Sequence, residues 1–338
     1  MEKVHTEHQK EGTYMNRSLL KKSGLVLLHS LGFLLLYFVI RKLDFHQLLE
    51  NLVLFRAWKI AAGLALLMVV YLIKNIRWLT INRAFGLKAD YGTLLVFFLF
   101  SGLLSAVTPG RLGEFSRIWF LQKKYRPGIP VSTSSVLLDR IWDVLTLSMI
   151  GGISLILLIS RFRIEWYTIV LTGVIFLMSL TVILFPGLMF RPFIRLAGKR
   201  PVARELENIL GIWRQNRIGF LFPGFSTSIV AFALLAIIPV MLSADLNSPV
   251  HYGTSVTAVS ISNILSFLPV TVAGFGTREF VFTRIWSSQS YSALTAVSVS
   301  FAYFITTYLG SIIFGGIAYL GWIRKFYPVV ELRTRSKE

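Results

Sequence analysis

A stretch with unusual chemistry for its position lies at residues 101–117, directly after an apolar run. It contains Pro109, which has no amide donor, and glycines that loosen the backbone, so a helix is expected to break here. Charged and irregular backbone segments beside hydrocarbon are tolerated only where they face protein or water. The stretch therefore predicts a polar site within an apolar domain.

The side chains of this stretch suit a phosphate-bearing head group. Arginine is a fixed cation whose planar fork matches phosphate oxygens. A helix that restarts after Gly113 would also point free amides and the positive end of its dipole at an anion. Hydroxyls on one helical face can line a water-filled cavity. The predicted members of this part of the site are Ser105, Thr108, Arg111, Glu114 and Arg117.

A second break of the same kind occupies residues 253–286. Its first segment is rich in hydroxyls and is interrupted by Pro269 and by Gly274-Phe-Gly276. A helix restarting after Thr277 would again present free amides to an anion. The predicted members of this second part of the site are Asn263, Ser266, Arg278 and Glu279.

The two glutamates have more than one interpretation. Each could receive a cationic group on the head group, or take up a proton if burial disfavours its charge. Each could also serve structure alone, with Glu114 paired to Arg111 or Arg117 and Glu279 paired to Arg278. The sequence favours a functional role because charge at membrane depth is costly to keep.

The two broken stretches match each other in order, which predicts an internal duplication. The shift is 161 residues for the serine motif and 165 for the glutamates. Three short sequences recur: Ser-x-x-Leu-Ser at 101–105 and 262–266, Glu-Phe at 114–115 and 279–280, and Arg-Ile-Trp at 117–119 and 284–286.

A third charged group lies in the long apolar segment that follows. Asp139 and Asp143 are one helical turn apart, with Arg140 between them. Paired acids could support protonation chemistry or ion coupling, and they could equally form an ion-pair network that braces the first broken stretch. Both alternatives stay open at the level of sequence.

Composition decides the class of protein. Hydrophobic residues make up 54% of the 338-residue chain, mean hydropathy is +0.66, and apolar runs recur. We therefore predict an all-α, polytopic membrane protein. The formal net charge of +19 lies mostly between the apolar runs, as the positive-inside rule requires, so no nucleic-acid partner is expected.

No catalytic or cofactor motif stands out. The chain has no cysteine and five scattered histidines, and it has no Walker A, HExxH or GxSxG sequence. We expect no metal, no cofactor and no enzymatic activity.

About six full transmembrane helices are predicted. They occupy residues 24–40, 60–79, 132–159, 166–185, 220–242 and 291–322. The short segments at 91–125 and 253–286 are predicted to be re-entrant hairpins, because about 17 residues reach only about 25 Å. Lys74 and Arg77, near the end of one span, are expected to extend to the cytoplasmic interface.

These elements predict one membrane domain, 24–322, in two halves of about 24–160 and 166–322. An odd number of spans between the two hairpins would invert the second half relative to the first, as in many transporters. A basic, amphipathic cytoplasmic segment is expected at 187–217, lying on an anionic surface or carrying ordinary positive-inside charge. The tails, 1–23 and 323–338, are expected to be cytoplasmic.

The chain resembles the lysylphosphatidylglycerol synthase transmembrane-region family of flippase-like membrane proteins. The resemblance rests on Pro109 to Phe115, Leu138 to Asp143, and Pro269 to Glu279. It implies movement of a polar head-group phospholipid, such as aminoacylated phosphatidylglycerol, between leaflets. The chain ends sixteen residues after Trp322, so the family's soluble synthase domain is not expected, and a lipid-linked glycan is an alternative substrate.

The expected function is that of a lipid flippase or scramblase in the plasma membrane of a prokaryote. The head group would pass through a hydrated cavity between two inverted halves while the acyl chains stay in lipid. The alternative is a membrane enzyme or accessory subunit for lipid or glycan modification. A separate lipid synthase or glycosyltransferase is the expected protein partner.

Overall fold

The computed structural model describes Tyr37 and residues 45–108, 110–158, 166–198, 201–215, 217–267 and 274–323. Within these ranges every regular element is helical. The predicted first span and the two tails lie almost entirely outside the described residues. The α-helices are α1 (Phe45–Leu54), α2 (Ala57–Ala84), α3 (Tyr91–Ala106), α4 (Ser116–Tyr125), α5 (Ile129–Leu158), α6 (Trp166–Leu184), α7 (Pro186–Ala197), α8 (Pro201–Gln215), α9 (Arg217–Ser243), α10 (Tyr252–Ser266), α11 (Thr277–Ser287) and α12 (Ala293–Ala318).

Four of these helices, α2, α5, α9 and α12, are long and apolar enough to cross a membrane. The segment Val170–Leu184 and the segment Pro186–Leu196 together could form a fifth crossing, although a bend of 95° separates them. A helix of 26 to 30 residues is about 39 to 45 Å long, which exceeds the roughly 30 Å hydrocarbon core. The prediction of an all-α polytopic membrane protein is confirmed.

The two predicted breaks are present. Helices α3 and α10 have 16 and 15 residues, so each is only about 22 to 24 Å long. After α3 the chain turns back so closely that a Cβ at position 113 would overlap the carbonyl group of Leu104, which only glycine avoids. The hydroxyl of Thr108 accepts the Gly113 N–H at 2.7 Å and holds this turn. Re-entry from one side of the membrane stays a prediction.

The order of helices repeats. Helices α2 to α5 and helices α9 to α12 each consist of a long helix, a short helix, a second short helix and another long helix. Both α3 and α10 begin with Tyr-Gly-Thr, at Tyr91 and Tyr252, a shift of 161 residues. The starts of α4 and α11, Ser116 and Thr277, differ by the same 161 residues.

The packing of these helices follows the same symmetry. Helix α2 packs against its equivalent α9, α3 packs against α12, and α10 packs against α5. Lys59 at one end of α2 donates to the Met241 carbonyl at 2.9 Å, and Arg77 near the other end contacts Ser228. Residue numbers thus rise along α2 while they fall along α9. These two equivalent helices run antiparallel, as they would in an inverted repeat.

Helices α6 to α8 connect the two halves. Helices α7 and α8 pack on each other, and α8 buries Ile209 and Trp213 against α5. The opposite side of α7 exposes Leu188, Phe193 and Leu196. The predicted amphipathic segment is therefore a pair of helices, while its position on a membrane surface stays a prediction.

Candidate head-group site

Both broken regions face one cavity of about 90 Å³. Residues of α2, α3, α4, α5, α9, α10, α11 and α12, together with the turn after α3, line it. Eight of the twelve residues predicted from the sequence as site members are in this lining: Ser105, Arg111, Glu114, Arg117, Arg140, Asn263, Ser266 and Arg278. The two segments that the sequence analysis selected therefore meet at this cavity, while their functional role stays a prediction.

Arg111 links the two halves directly. Its Nη2 donates to Oδ1 of Asn263 at 2.9 Å, across 152 residues of sequence. Its guanidinium also lies over the ring of Phe267 at 5.6 Å. Arg111 has a positive φ of 56°, which is uncommon for a non-glycine residue, so the turn after α3 holds this arginine in a constrained position.

Asp139 is the centre of a buried ionic network. Its carboxylate receives Arg77 at 2.6 Å, Arg117 at 2.9 Å and Arg140 at 3.0 Å. The Asp139 side chain is fully buried, with 0% exposed. A carboxylate that contacts three guanidiniums compensates their positive charge, and its ion pairs link α2, α4 and α5. This geometry matches the bracing interpretation of the acid pair.

Asp143 completes the network one turn further along α5. It binds Lys74 at 3.1 Å, Arg77 at 3.0 Å and Arg140 at 3.1 Å. The expectation that Lys74 and Arg77 extend to the interface is wrong, because both are at least nine-tenths buried. A cation deep in an apolar helix needs an acid partner, so these two cations and the two aspartates could have been matched by charge balance.

Glu114 is the carboxylate that borders the cavity. It forms ion pairs with Arg140 and, at 3.5 Å, with Arg117. The hydroxyl of Ser105 lies 3.5 Å from its Oε1. The pairing with Arg117 was one of the structural alternatives for this residue, whereas Arg140 was not foreseen as its partner.

Arg278 packs against three aromatic rings of α12. Its guanidinium lies over the rings of Phe304 at 4.8 Å, Tyr308 at 5.4 Å and Tyr303 at 5.7 Å. Such packing stabilises a cation through the ring quadrupole. The guanidinium donates its hydrogen bonds in its own plane, away from the ring faces. The aromatic residues of α12 gave no signal in the sequence because apolar helices are rich in them.

Glu279 and Thr108 do not line the cavity. The Glu279 carboxylate accepts the Gly276 N–H at 2.6 Å and the Ser300 hydroxyl at 3.1 Å. It therefore caps the start of its own helix α11. Thr108 likewise supports the turn after α3. Neither residue is placed to contact a ligand in this cavity.

The described cavity and the network behind it are rich in positive charge. The six cations are Lys74, Arg77, Arg111, Arg117, Arg140 and Arg278, and the three acids are Glu114, Asp139 and Asp143. Hydroxyls and amides complete the wall, among them Ser266, Asn263 and Tyr71. Within the part of the chain that the structure describes, no cluster of three or more His, Cys, Asp or Glu residues could hold a metal ion.

The fold and site define a class of protein: a polytopic membrane protein in which two similar series of helices border a basic cavity. Comparison with known sequences specifies the family. The family described as "Lysylphosphatidylglycerol synthase TM region" matches residues 23–315, so the chain belongs to it.

Two curated relatives add to this assignment. The chain is 23% identical over 227 residues to the UPF0104 membrane protein MJ1078 of Methanocaldococcus jannaschii, covering 64% of this chain and 92% of that protein. It is 22% identical over 264 residues to the glycosyltransferase AglD of Haloferax volcanii, covering 66% of this chain. The match spans 42% of that glycosyltransferase, so less than half of the relative is represented here.

Proposed function

We propose that this protein moves the polar head group of a phospholipid or a lipid-linked substrate between the leaflets of the plasma membrane of a prokaryote. The observation that carries this proposal is the shared cavity, which Arg111 enters from the first half and Arg278 from the second. A head group would occupy the cavity while its acyl chains remain in the surrounding lipid.

The inverted repeat supports a transport role over a purely structural one. Two halves with opposite orientation can open a common site first to one side and then to the other. The hydrogen bond from Arg111 to Asn263 spans the two broken regions, so it would have to break or rearrange when the halves separate. A head group with oxygen acceptors could replace Asn263 as the partner of Arg111 at that moment.

Family membership supports a lipid substrate. The family name refers to a lysylphosphatidylglycerol synthase, and one relative is named a glycosyltransferase. Aminoacylated phosphatidylglycerol and a lipid-linked glycan are both substrates compatible with these names. A separate synthase or glycosyltransferase would then supply or use the translocated lipid.

Exchange in reconstituted liposomes tests the proposal. Lipids carrying a fluorophore on the acyl chain are bleached from the outside, and protein-dependent loss of the protected inner-leaflet signal reports translocation. We expect Arg111→Gln to slow exchange roughly tenfold or more, because a charged hydrogen bond to phosphate is worth about 1.5–3 kcal/mol. Arg214→Gln, which changes an exposed arginine on α8, is the matched control.

The outcome that contradicts translocation is a wild-type protein that exchanges no aminoacyl, zwitterionic or polyprenyl lipid faster than protein-free liposomes. Equal exchange rates for Arg111→Gln and the control variant would instead show that the lipid head group does not pass through the cavity.

A second candidate function is an accessory subunit of a glycan-modifying enzyme. The match to part of a glycosyltransferase favours it. In that case a glycosyltransferase from the same cell would need this protein for activity in liposomes whose lipid substrate is already in the accessible leaflet. A pure translocator would give no stimulation under that condition.

A further inference from the structure

We infer that the cavity selects a head group that is net anionic and bears phosphate, and disfavours a head group that carries an amino cation. This inference rests on the proposed function and specifies the charge of the substrate. It departs from an aminoacylated lipid as the preferred cargo.

The first argument is that the acids of the cavity and its network already have cationic partners. Glu114 contacts two cations, and Asp139 and Asp143 contact three each. A ligand ammonium group would have to displace a guanidinium from one of these carboxylates. The displaced cation would then lie in a low-dielectric interior without its counter-charge, which strongly disfavours the exchange.

The second argument is the excess of positive charge in the cavity and its network. When the buried Glu279, which neighbours Arg278 in α11, is counted with the other three acids, the six cations of the described cavity and network still exceed the acids by two. Residues 268–273, which follow α10 in the sequence, carry no charged side chain, so they add no further acid. A phosphate monoester or diester supplies the missing negative charge, whereas an ammonium group adds to the excess.

The third argument is the position of the cations. Arg111 lies in the turn after α3, and Arg278 lies in the first turn of α11, where the helix N-terminus also favours an anion. The bond to Asn263 uses one of the five N–H donors of Arg111. Aromatic rings pack against the guanidinium of Arg278, and its N–H groups point outward in the plane of the guanidinium. Two arginines that approach from opposite halves can hold phosphate oxygens from two directions.

Three lipids with the same labelled acyl chains test the inference: phosphatidic acid, phosphatidylglycerol and lysylphosphatidylglycerol. They present a phosphomonoester, a phosphodiester and a phosphodiester with added amino cations. In liposomes we expect both anionic lipids to exchange at least tenfold faster than the lysylated lipid. Equal or faster exchange of the lysylated lipid would overturn the inference and leave the transport function standing.

Binding provides a readout that does not need transport. In detergent micelles the two anionic lipids are expected to raise the midpoint of thermal unfolding at least threefold more than the lysylated lipid. Arg278→Gln should reduce this difference, and Arg214→Gln should retain it. If no lipid exchanges, the transport proposal fails, and the binding preference alone then decides the inference: equal stabilisation by all three lipids overturns it.

Discussion

The two halves place equivalent arginines in unlike surroundings. The 161-residue shift that relates the helices places Arg117 at the position of Arg278, and each lies second in its short helix. The same shift relates Asp139 to Ser300 and Asp143 to Phe304 on the long helices. Both arginines pack against aromatic rings, since Arg117 lies over Phe98 at 4.7 Å and over Trp78 at 4.8 Å, but Arg117 also forms ion pairs with Asp139 and Glu114.

The difference indicates that one repeated arrangement of helices serves two roles, stability in the first half and attraction of anions in the second. In the first half, acids neutralise the cations and lock α2, α4 and α5 into a rigid unit. In the second half, aromatic rings pack against the guanidinium of Arg278, which stays positively charged in such packing. The first half should therefore dominate stability, and the second half should set the attraction for anions.

Removing the central acid should have the largest effect. Asp139→Asn leaves three buried guanidiniums short of negative charge, and we expect it to lower the free energy of unfolding by about 3–5 kcal/mol. The equivalent change in the second half, Ser300→Ala, removes a single hydrogen bond to Glu279 and should cost about 1–2 kcal/mol. SDS titration in detergent micelles measures both. Similar losses would contradict the assignment of the ionic brace to the first half.

The second largest difference in unfolding free energy is expected between the glycines of the two breaks. Gly113→Ala places a methyl group against the backbone of Leu104, and we expect a loss of about 3 kcal/mol. Gly274→Ala meets side-chain atoms at 3.3 Å or more, and its positive φ of 78° should cost about 1 kcal/mol. The same titration compares them. A larger loss at Gly274 would show that the second break is the more tightly packed one.

The smallest expected difference concerns the starts of α3 and α10. Asp90 caps α3 by accepting the Thr93 N–H at 2.7 Å, while the equivalent His251 makes no side-chain cap. Burial acts to raise the pKa of Asp90, but hydrogen bonds from Thr93 and Tyr125 outweigh it, so the pKa is lowered overall. Asp90→Ala should cost about 1 kcal/mol at neutral pH, and His251→Ala less.

The pH dependence of this cap has a definite sign. Because folding lowers the pKa of Asp90, its contribution is present above the pKa of an unfolded aspartate and is lost as pH falls through the folded value. The difference between wild type and Asp90→Ala should therefore shrink in acid, as measured by thermal unfolding in micelles between pH 7 and pH 3. A difference that grows in acid would contradict the capping role.

Much of the architecture was predictable from the sequence because it depends on local signals. Apolar length predicted the four long spanning helices α2, α5, α9 and α12, and glycine and proline predicted both breaks. The serine repeat at 101–105 and 262–266 gave the correct 161-residue shift. The match of Glu114 to Glu279 was misleading, since Glu114 lies in the 3₁₀ turn before α4 while Glu279 is the third residue of α11.

The remaining features depend on long-range packing and left little local trace. Lys74 and Arg77 look like residues near a helix end, and only the approach of α5 reveals them as partners of the two aspartates. The rings around Arg278 are likewise ordinary members of an apolar helix until α11 packs beside them. Sequence patterns predict which side chains are unusual, whereas tertiary contacts decide which charges are compensated.

A charge placed beside Arg278 tests the central claim most directly. Phe304→Asp introduces an acid at the position equivalent to Asp143, and Phe304→Asn is its uncharged control of the same size. The ratio of phosphatidylglycerol to lysylphosphatidylglycerol exchange should fall at least tenfold in Phe304→Asp and stay near the wild-type ratio in Phe304→Asn. An unchanged ratio in Phe304→Asp, or an equal fall in both variants, would contradict a cavity that selects its lipid by uncompensated positive charge.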